Sequence, residues 1–427
     1  MPKPNILYIH SHDTGRYISP YGHQMPTPNL DRLAREGVLF RQAYCMSPTC
    51  SPSRASLLTG TAPHVNGMLG LAHRGFSLND YSRHIIHTLK KHGYKTALAG
   101  VQHIAHDVKK ISYDHVLCTA DDDMDLAAVR FLENEIPGPF FLSVGMSETH
   151  RPFPEKKFDD PGYCLPPLPL PDIAQVREDM AHYKESVHIF DERVGRVLMA
   201  LEKTGHSSNT LVIATTDHGI AFPGMKCTLT DHGIGVMLIM RGPGGFSGSR
   251  VLDSLVSQVD IFPTLCDYLG IEPPPWLEGV SLMPLILNEK SEVRDAVFAE
   301  INYHSSYDPH RAVRTKQYKY IRRFPDRDRA VACHTDDSPS KDLWLNHGWQ
   351  ERKRVDEELY DLVFDPLEAH NCAADPNYTH ALVSMRNQLD QWMKETNDPF
   401  LTGHIPCPQG AVVNDRDAVS PKDRPGK

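Results

Sequence analysis

The 427-residue chain has no uncharged run long enough to span a bilayer, which argues against a helical membrane protein. Its opening residues, MPKPNILYIHSHD, lack the long apolar core and small-residue cleavage site of a secretory signal. Their one apolar run has only the length of a strand. Nine cysteines, odd in number and irregularly spaced, do not make a disulfide framework. A basic excess is missing too. Lys and Arg total 45 against 54 Asp and Glu, a formal charge of −9, so no nucleic-acid partner is expected. No internal repeat is visible. Together these absences lead to the expectation of a cytoplasmic protein without a membrane or nucleic-acid partner. What is plentiful is histidine: 24 residues, a supply that suits proton transfer or metal binding.

Strand-forming apolar runs recur at Asn5–His10, Lys95–Ala99, Phe140–Val144, Leu211–Thr215 and Val236–Met240. Between them lie helical patterns. Asn29–Gly37 has an asparagine cap, Leu30, Leu33 and Ala34 on one face, and a glycine stop. Tyr183–Lys203 repeats Val187, Phe190, Val194, Val197, Leu198 and Leu201 at helical spacing. This alternation predicts an α/β sheet covered on both faces. Past residue 290 the character changes: short strand-like pieces (AVFAEI, YKYIRRF), a charged loop over Asp326–Lys341, then a helix over Thr379–Thr396. The expected division is an α/β catalytic domain over 1–290, a smaller α+β subdomain over 291–414, and a polar tail over 415–427 that frays.

Four clusters carry candidate chemistry: His12-Asp13 after the first strand; Cys50-Ser51-Pro52-Ser53-Arg54; His103 and His106, with His150-Arg151; and Asp217-His218-Gly219 followed by Lys226. Each has a plain structural alternative. A carboxylate just past a strand is often a helix cap, a lone cysteine a small core residue, and Arg54 or Lys226 a surface cation. Their coincidence at the ends of strands of one sheet favours a divalent metal held by Asp and His, with cations neutralising an anionic substrate.

PNILYIHSHD, the segment PTPNLDRLAREGVLFRQAY and then CSPSRASLLTG resemble the sulfatase family of the alkaline-phosphatase superfamily. Cys50, Pro52 and Arg54 match its C-x-P-x-R signal, and Leu58-Thr59-Gly60 its continuation, with Thr61 where an arginine is common. LVIATTDHG, SQVDIFPTLCDYLGI and ELYDLVFDPLEAHNCA extend the likeness over nearly the whole chain. PHVNGMLGL and QLDQWMKETNDPF look most like the heparan N-sulfatase (sulfamidase) branch. The resemblance implies a large mixed, mostly parallel sheet sandwiched by helices, with a smaller C-terminal subdomain. It implies hydrolysis of a sulfate ester or N-sulfate; the missing secretory signal adds the expectation of a small sulfated saccharide rather than an extracellular polymer. Cys50 is then oxidised to formylglycine by a formylglycine-generating enzyme, and the aldehyde hydrate provides the nucleophile. By the same likeness the metal ligands are His12, Asp13, residue 50, Asp217 and His218. Arg54 holds the hydrate, Lys226 and His150 bind the sulfonyl oxygens, and His103 helps remove a proton. His304, with Tyr307 and Arg311, is expected near the pocket mouth, with an ordinary surface loop as the alternative.

Three positions depart from the family pattern. His12 stands where an aspartate is usual, His218 where an asparagine is usual, and the G-K-x-H segment reads Gly100-Val101-Gln102-His103. Calcium is the family metal, whereas two imidazoles favour Mn²⁺ or another transition metal. The Asp-His pair also occurs in phosphonate monoester and phosphodiester hydrolases of the same superfamily, which is the alternative activity. A non-catalytic binding relative is the second. Loss of the lysine at Val101 weighs against an amine leaving group unless His73 or His106 takes its place.

Overall fold

The computed structural model of the protein describes residues 3–119, 123–134, 138–157, 159–324 and 326–423. Its first strands are β1 (Asn5–His10), β2 (Val38–Phe40), β3 (Ala43–Tyr44), β4 (Lys95–Gly100), β5 (His115–Cys118), β6 (Phe140–Gly145) and β7 (Thr210–Thr215). They are followed by β8 (Leu238–Arg241), β9 (Arg250–Leu252), β10 (Val256–Ser257), β11 (Ala296–Tyr303), β12 (Tyr307–Thr315), β13 (Tyr318–Arg323) and β14 (Glu357–Asp361). Eight of them make one sheet in the order β5-β4-β6-β1-β7-β8-β2-β9, in which β8 alone runs against its neighbours. A second sheet, β11-β12-β13-β14, is antiparallel throughout.

The two-residue period of a strand explains why β1 is apolar end to end. Ile6 and Tyr8 face one hydrophobic core, Leu7 and Ile9 the other, and both faces are covered. One core holds the long helix Ala174–Lys203 and helix α1 (Pro28–Glu36); the other holds helix α2 (Cys50–Thr59), the helix Ile261–Leu269 and the second sheet. All ten residues of α2 are buried, so it passes through the interior.

Several boundaries differ from expectation. Helix α1 starts at Pro28, where a proline's missing N–H costs nothing. Asn29 is therefore inside the helix, and its side chain bonds to Asp191 of the long helix. That helix begins nine residues before Tyr183, because Asp179, which reads as surface, is buried on Arg151. The run Val236–Met240 contributes strand only from Leu238. The charged Asp326–Lys341 segment is no open loop, since Ser338 caps a helix over Pro339–Asn346 through its side chain. The tail does not fray over its described part: Asp417 pairs with Arg327, Ser420 with Asp337, and the Pro421 carbonyl accepts from Arg74. Residues 424–427 lie outside the described residues. Among those described, no helix is long and apolar enough to cross a membrane.

Candidate active site

The parallel strands β1, β4, β6 and β7 end on the same edge, and each is followed by one piece of the site: His12-Asp13, His103, His150 and Asp217-His218. The chain leaves three of these strands through left-handed residues that are not glycine, Asp13 (φ 37), His103 (φ 54) and Thr149 (φ 73). Such conformations cost about 1–3 kcal/mol each and persist where the surroundings hold them. Gly219 is needed for a different reason: a Cβ there would lie 1.9 Å from the His232 carbonyl oxygen. Only glycine lets the Asp217-His218 loop pack this closely.

Helix α2 delivers the other part. Cys50 is its first residue, and Arg54, one turn later, falls on the same face. Arg54 Nη2 donates to Asp217 Oδ2 and to the Ser11 carbonyl, both at 2.8 Å, while Nη1 meets His10 Nδ1. Ser53 Oγ donates to the Asp217 carbonyl at 2.6 Å. The helix is thus tied to the ends of β1 and β7, and Cys50 Sγ sits 3.3 Å from His218 Nε2 and 4.0 Å from Asp13 Oδ1. Asp217 does accept backbone N–H bonds, from Asp13 and His218, but within the strand-end loops rather than at a helix start. Neither Arg54 nor Lys226 is a surface cation; both are buried. Lys226 Nζ lies between two carboxylates, Asp13 Oδ2 and Asp336 Oδ2, each at 2.8 Å.

Charge compensation governs the electrostatics. Burial works against the Asp13 carboxylate, but Lys226, His218 and His150 outweigh it and hold it well below its usual range. Asp217 is likewise held low against burial by Arg54, His218 and His12. Burial pushes the Cys50 thiol well up, so it carries its proton and is a weak nucleophile. Burial first, then His12 and Arg54, keep the His103 imidazole neutral, and burial with Lys226 lowers His150.

The donor set fits a divalent cation. His12, Asp13, Cys50 and Asp217 offer ligand atoms within 4.8 Å of one another, all buried. Two are ionised carboxylates, and His12 Nδ1, 3.1 Å from Asp217 Oδ2, makes no aligned hydrogen bond. A buried imidazole nitrogen with no hydrogen-bond partner, facing carboxylates, suits a ligand to a divalent cation. His218 borders the set through Asp13, at 3.2 Å, and Cys50.

A cavity of about 890 Å³ opens beside this centre and is lined by His12, His103 and His150. Val101 lines it too, an isopropyl group where the family pattern has a lysine. Of the two candidate replacements, His73 stacks on His103 with 3.0 Å between Nδ1 and Nε2, whereas His106 lines the cavity as an exposed residue.

His304 is not on a surface loop. It is buried in the β11–β12 hairpin, 5.8 Å ring to ring from His334, and burial followed by the Lys226 charge holds its imidazole neutral. Tyr307 and Arg311 are not brought to the site. Tyr307 packs on Tyr303, and Arg311 forms a buried pair with Asp398. Sequence reasoning missed Asp336, which sits within a segment that reads as a charged loop, and His10, which reads as the end of a strand.

Comparison with known proteins bears on the family and the fold. Residues 4–271 match the sulfatase family model, and residues 225–351 the model described as N-sulphoglucosamine sulphohydrolase, C-terminal. The human N-sulphoglucosamine sulphohydrolase is 29% identical over 99% of this chain and 94% of its own length. An ulvan-active sulfatase of Formosa agariphila is 27% identical over 93% of this chain and 76% of its own. Among solved structures, a protein in complex with its substrate D-glucosamine-2-N,6-O-disulfate superposes with a TM-score of 0.72 at 22% identity, covering 93% of this chain and 98% of that one. A 2-O GAG sulfatase superposes at 0.71 and 22%, covering 99% and 98%; at these identities the likeness is one of fold. With a family model spanning more than half of its residues, this chain belongs to the sulfatase family.

Proposed function

We propose that the protein hydrolyses a sulfate ester or N-sulfate of a small sulfated saccharide, with residue 50 as formylglycine and one divalent cation. One observation carries this reading: Cys50 stands in the ligand set as a protonated thiol, a weak nucleophile there, within a C-x-P-x-R motif that resembles the family's signal for cysteine oxidation. Conversion by a formylglycine-generating enzyme replaces sulfur by an aldehyde whose hydrate supplies an oxygen nucleophile and a second hydroxyl for release. A divalent cation would be held by His12, Asp13, residue 50 and Asp217 with His218 alongside, and would supply Lewis acidity at this centre.

The remaining work falls to the chain's own side chains. Arg54 is fixed by Asp217 and the Ser11 carbonyl one helical turn from residue 50, and is the cation placed to hold its hydrate. His103 is neutral, and its buried Nδ1 makes no hydrogen bond, so it can accept a proton. Lys226 keeps its charge, Asp13 and Asp336 outweighing burial, and offers donors to sulfonyl oxygens. The 890 Å³ cavity suits a small saccharide.

Two acceptors favour the N-sulfate among these substrates. His150 gives its Nδ1–H to the Arg151 carbonyl, which leaves Nε2 as an acceptor in the neutral ring, so it has no donor for a sulfonyl oxygen, contrary to the role the resemblance implied. Asp336 is a carboxylate within 4.8 Å of Asp13 and His150 ligand atoms. A sulfamate N–H satisfies such acceptors; a bridging ester oxygen only repels them. The test is a panel assay on formylglycine-verified, metal-reconstituted enzyme with N-sulfoglucosamine, an aryl sulfate and a phosphonate monoester. Highest kcat/KM on N-sulfoglucosamine is the expected result. A preference for the phosphonate would overturn the sulfatase reading in favour of a phosphorus substrate.

A further inference from the structure

On the other side of Lys226 from the reaction centre lies a second, more enclosed cavity of about 130 Å³. At roughly 30 Å³ per liquid water it has room for about four waters, or for one five-atom tetrahedral ion. Three cations, Lys226, Arg323 and Arg354, line it against a single carboxylate, Asp308. That carboxylate is already engaged: Arg354 grips it with both terminal nitrogens at 3.0 and 2.9 Å, and His310 Nε2 lies 3.1 Å from it. Arg323 is held by Glu358 at 2.7 Å through one terminal nitrogen.

What these pairs leave over is a surplus of unbonded nitrogen. Arg323 Nε and Arg354 Nε are buried without a hydrogen-bond partner, and so are both ring nitrogens of His334, a residue 4% exposed. Its closest carboxylate contact, His334 Nε2 to Asp308 Oδ2, is 3.8 Å long. Buried polar atoms are rarely left unpaired, and two guanidinium N–H groups with the single N–H of a neutral His334 ring around one cavity suit a ligand rich in acceptors. Each of the three cations already has a carboxylate partner, and it is the N–H groups left over on the two guanidiniums that favour an oxyanion over a metal ion. The cavity is also linked to the chemistry. Lys226 belongs to both sites, and His304 bridges from Lys226 and His218 to the His334 ring.

We propose that this cavity is a second oxyanion site that binds a sulfate group through Arg323, Arg354 and His334. That the oxyanion is sulfate rests on the sulfatase reading. Two sources share the chemistry, a second sulfate on the saccharide and the ion released by hydrolysis.

The test is a crystal of the formylglycine-bearing enzyme soaked in sodium selenate, whose selenium scatters anomalously, paired with calorimetric titration by sodium sulfate at constant ionic strength. Two selenate peaks are expected, one beside residue 50 and one between Arg323, Arg354 and His334, with two sulfate sites in the titration. Arg323→Gln and His334→Leu should each abolish the second and keep the first. Titration with glucosamine 2-N,6-O-disulfate separates the sources: at least tenfold weaker binding by His334→Leu assigns the cavity to a substrate group, and unchanged binding assigns it to the released ion. Selenate beside residue 50 alone, with a single sulfate site, overturns the proposal. Selenate in the cavity alone upholds it and counts against the proposed function, and selenate in neither place overturns both.

Discussion

Replacing Asp336 by Asn probes the leaving-group side of the reaction. The carboxylate is 2.8 Å from Lys226 Nζ, and its side chain is 17% exposed, so it is largely but not wholly buried. A hydrogen bond from a sulfamate N–H to a carboxylate in such a place contributes about 1.5–3 kcal/mol. Its loss should lower kcat/KM on N-sulfoglucosamine by about 10- to 150-fold. An aryl sulfate has no N–H to lose. Asn also relieves Lys226 of one of its two carboxylates, which leaves the ammonium freer for sulfonyl oxygens. Aryl sulfate hydrolysis should therefore hold steady or rise. The assay is release of inorganic sulfate from both substrates by wild type and variant, with unfolding midpoints measured alongside. Equal losses on the two substrates, with an unchanged midpoint, would refute the role given to this carboxylate.

Metal analysis of enzyme purified without added metal should find manganese or another transition ion, as His12 and His218 imply; calcium alone at full occupancy contradicts this. Gly219→Ala should give insoluble or inactive protein, because the new Cβ meets the His232 carbonyl at 1.9 Å; a soluble, fully active variant would show that the loop can yield. His84 makes the fold acid-sensitive. Its Nδ1 accepts from Ile86 N at 3.2 Å to cap a helix, and burial, then His87, push its pKa down to about 3. The folded value lies below the unfolded one of about 6.5, so this stability is present above that pH and is lost as pH falls toward 3, by up to about 1.4 kcal/mol per pH unit. His84→Asn, which keeps a capping oxygen but does not titrate, should flatten the fall of the unfolding midpoint between these limits; an unchanged profile would assign the acid sensitivity elsewhere.

The apolar strands and the C-x-P-x-R turn were legible in the sequence because their physics is local. Ile6 to Ile9 can only be a strand buried on both faces, and Cys50 and Arg54 need only one helical turn to share a face. Much of what stayed hidden has one cause, the buried ion pair. Asp179 with Arg151, Asp308 with Arg354, and Arg311 with Asp398 read as solvent-exposed charge, so the start of the long helix and the strand β12 looked like loops. Asp336 was hidden in the same way, since only the fold brings Lys226 to it from 110 positions away. His304 followed the misread hairpin. A charge pattern reports surface only while its partners are distant; when they meet, the same residues become interior.

The oxidation state of residue 50 in enzyme from its native host is the most direct measurement available. Trypsin releases Gln42–Arg54 as one peptide, which carries both Cys45 and Cys50, so fragmentation must place the change. An aldehyde at 50 with an intact thiol at 45, in a preparation whose sulfate release rises with aldehyde content, is the expected result. A thiol at both positions in fully active enzyme would contradict it.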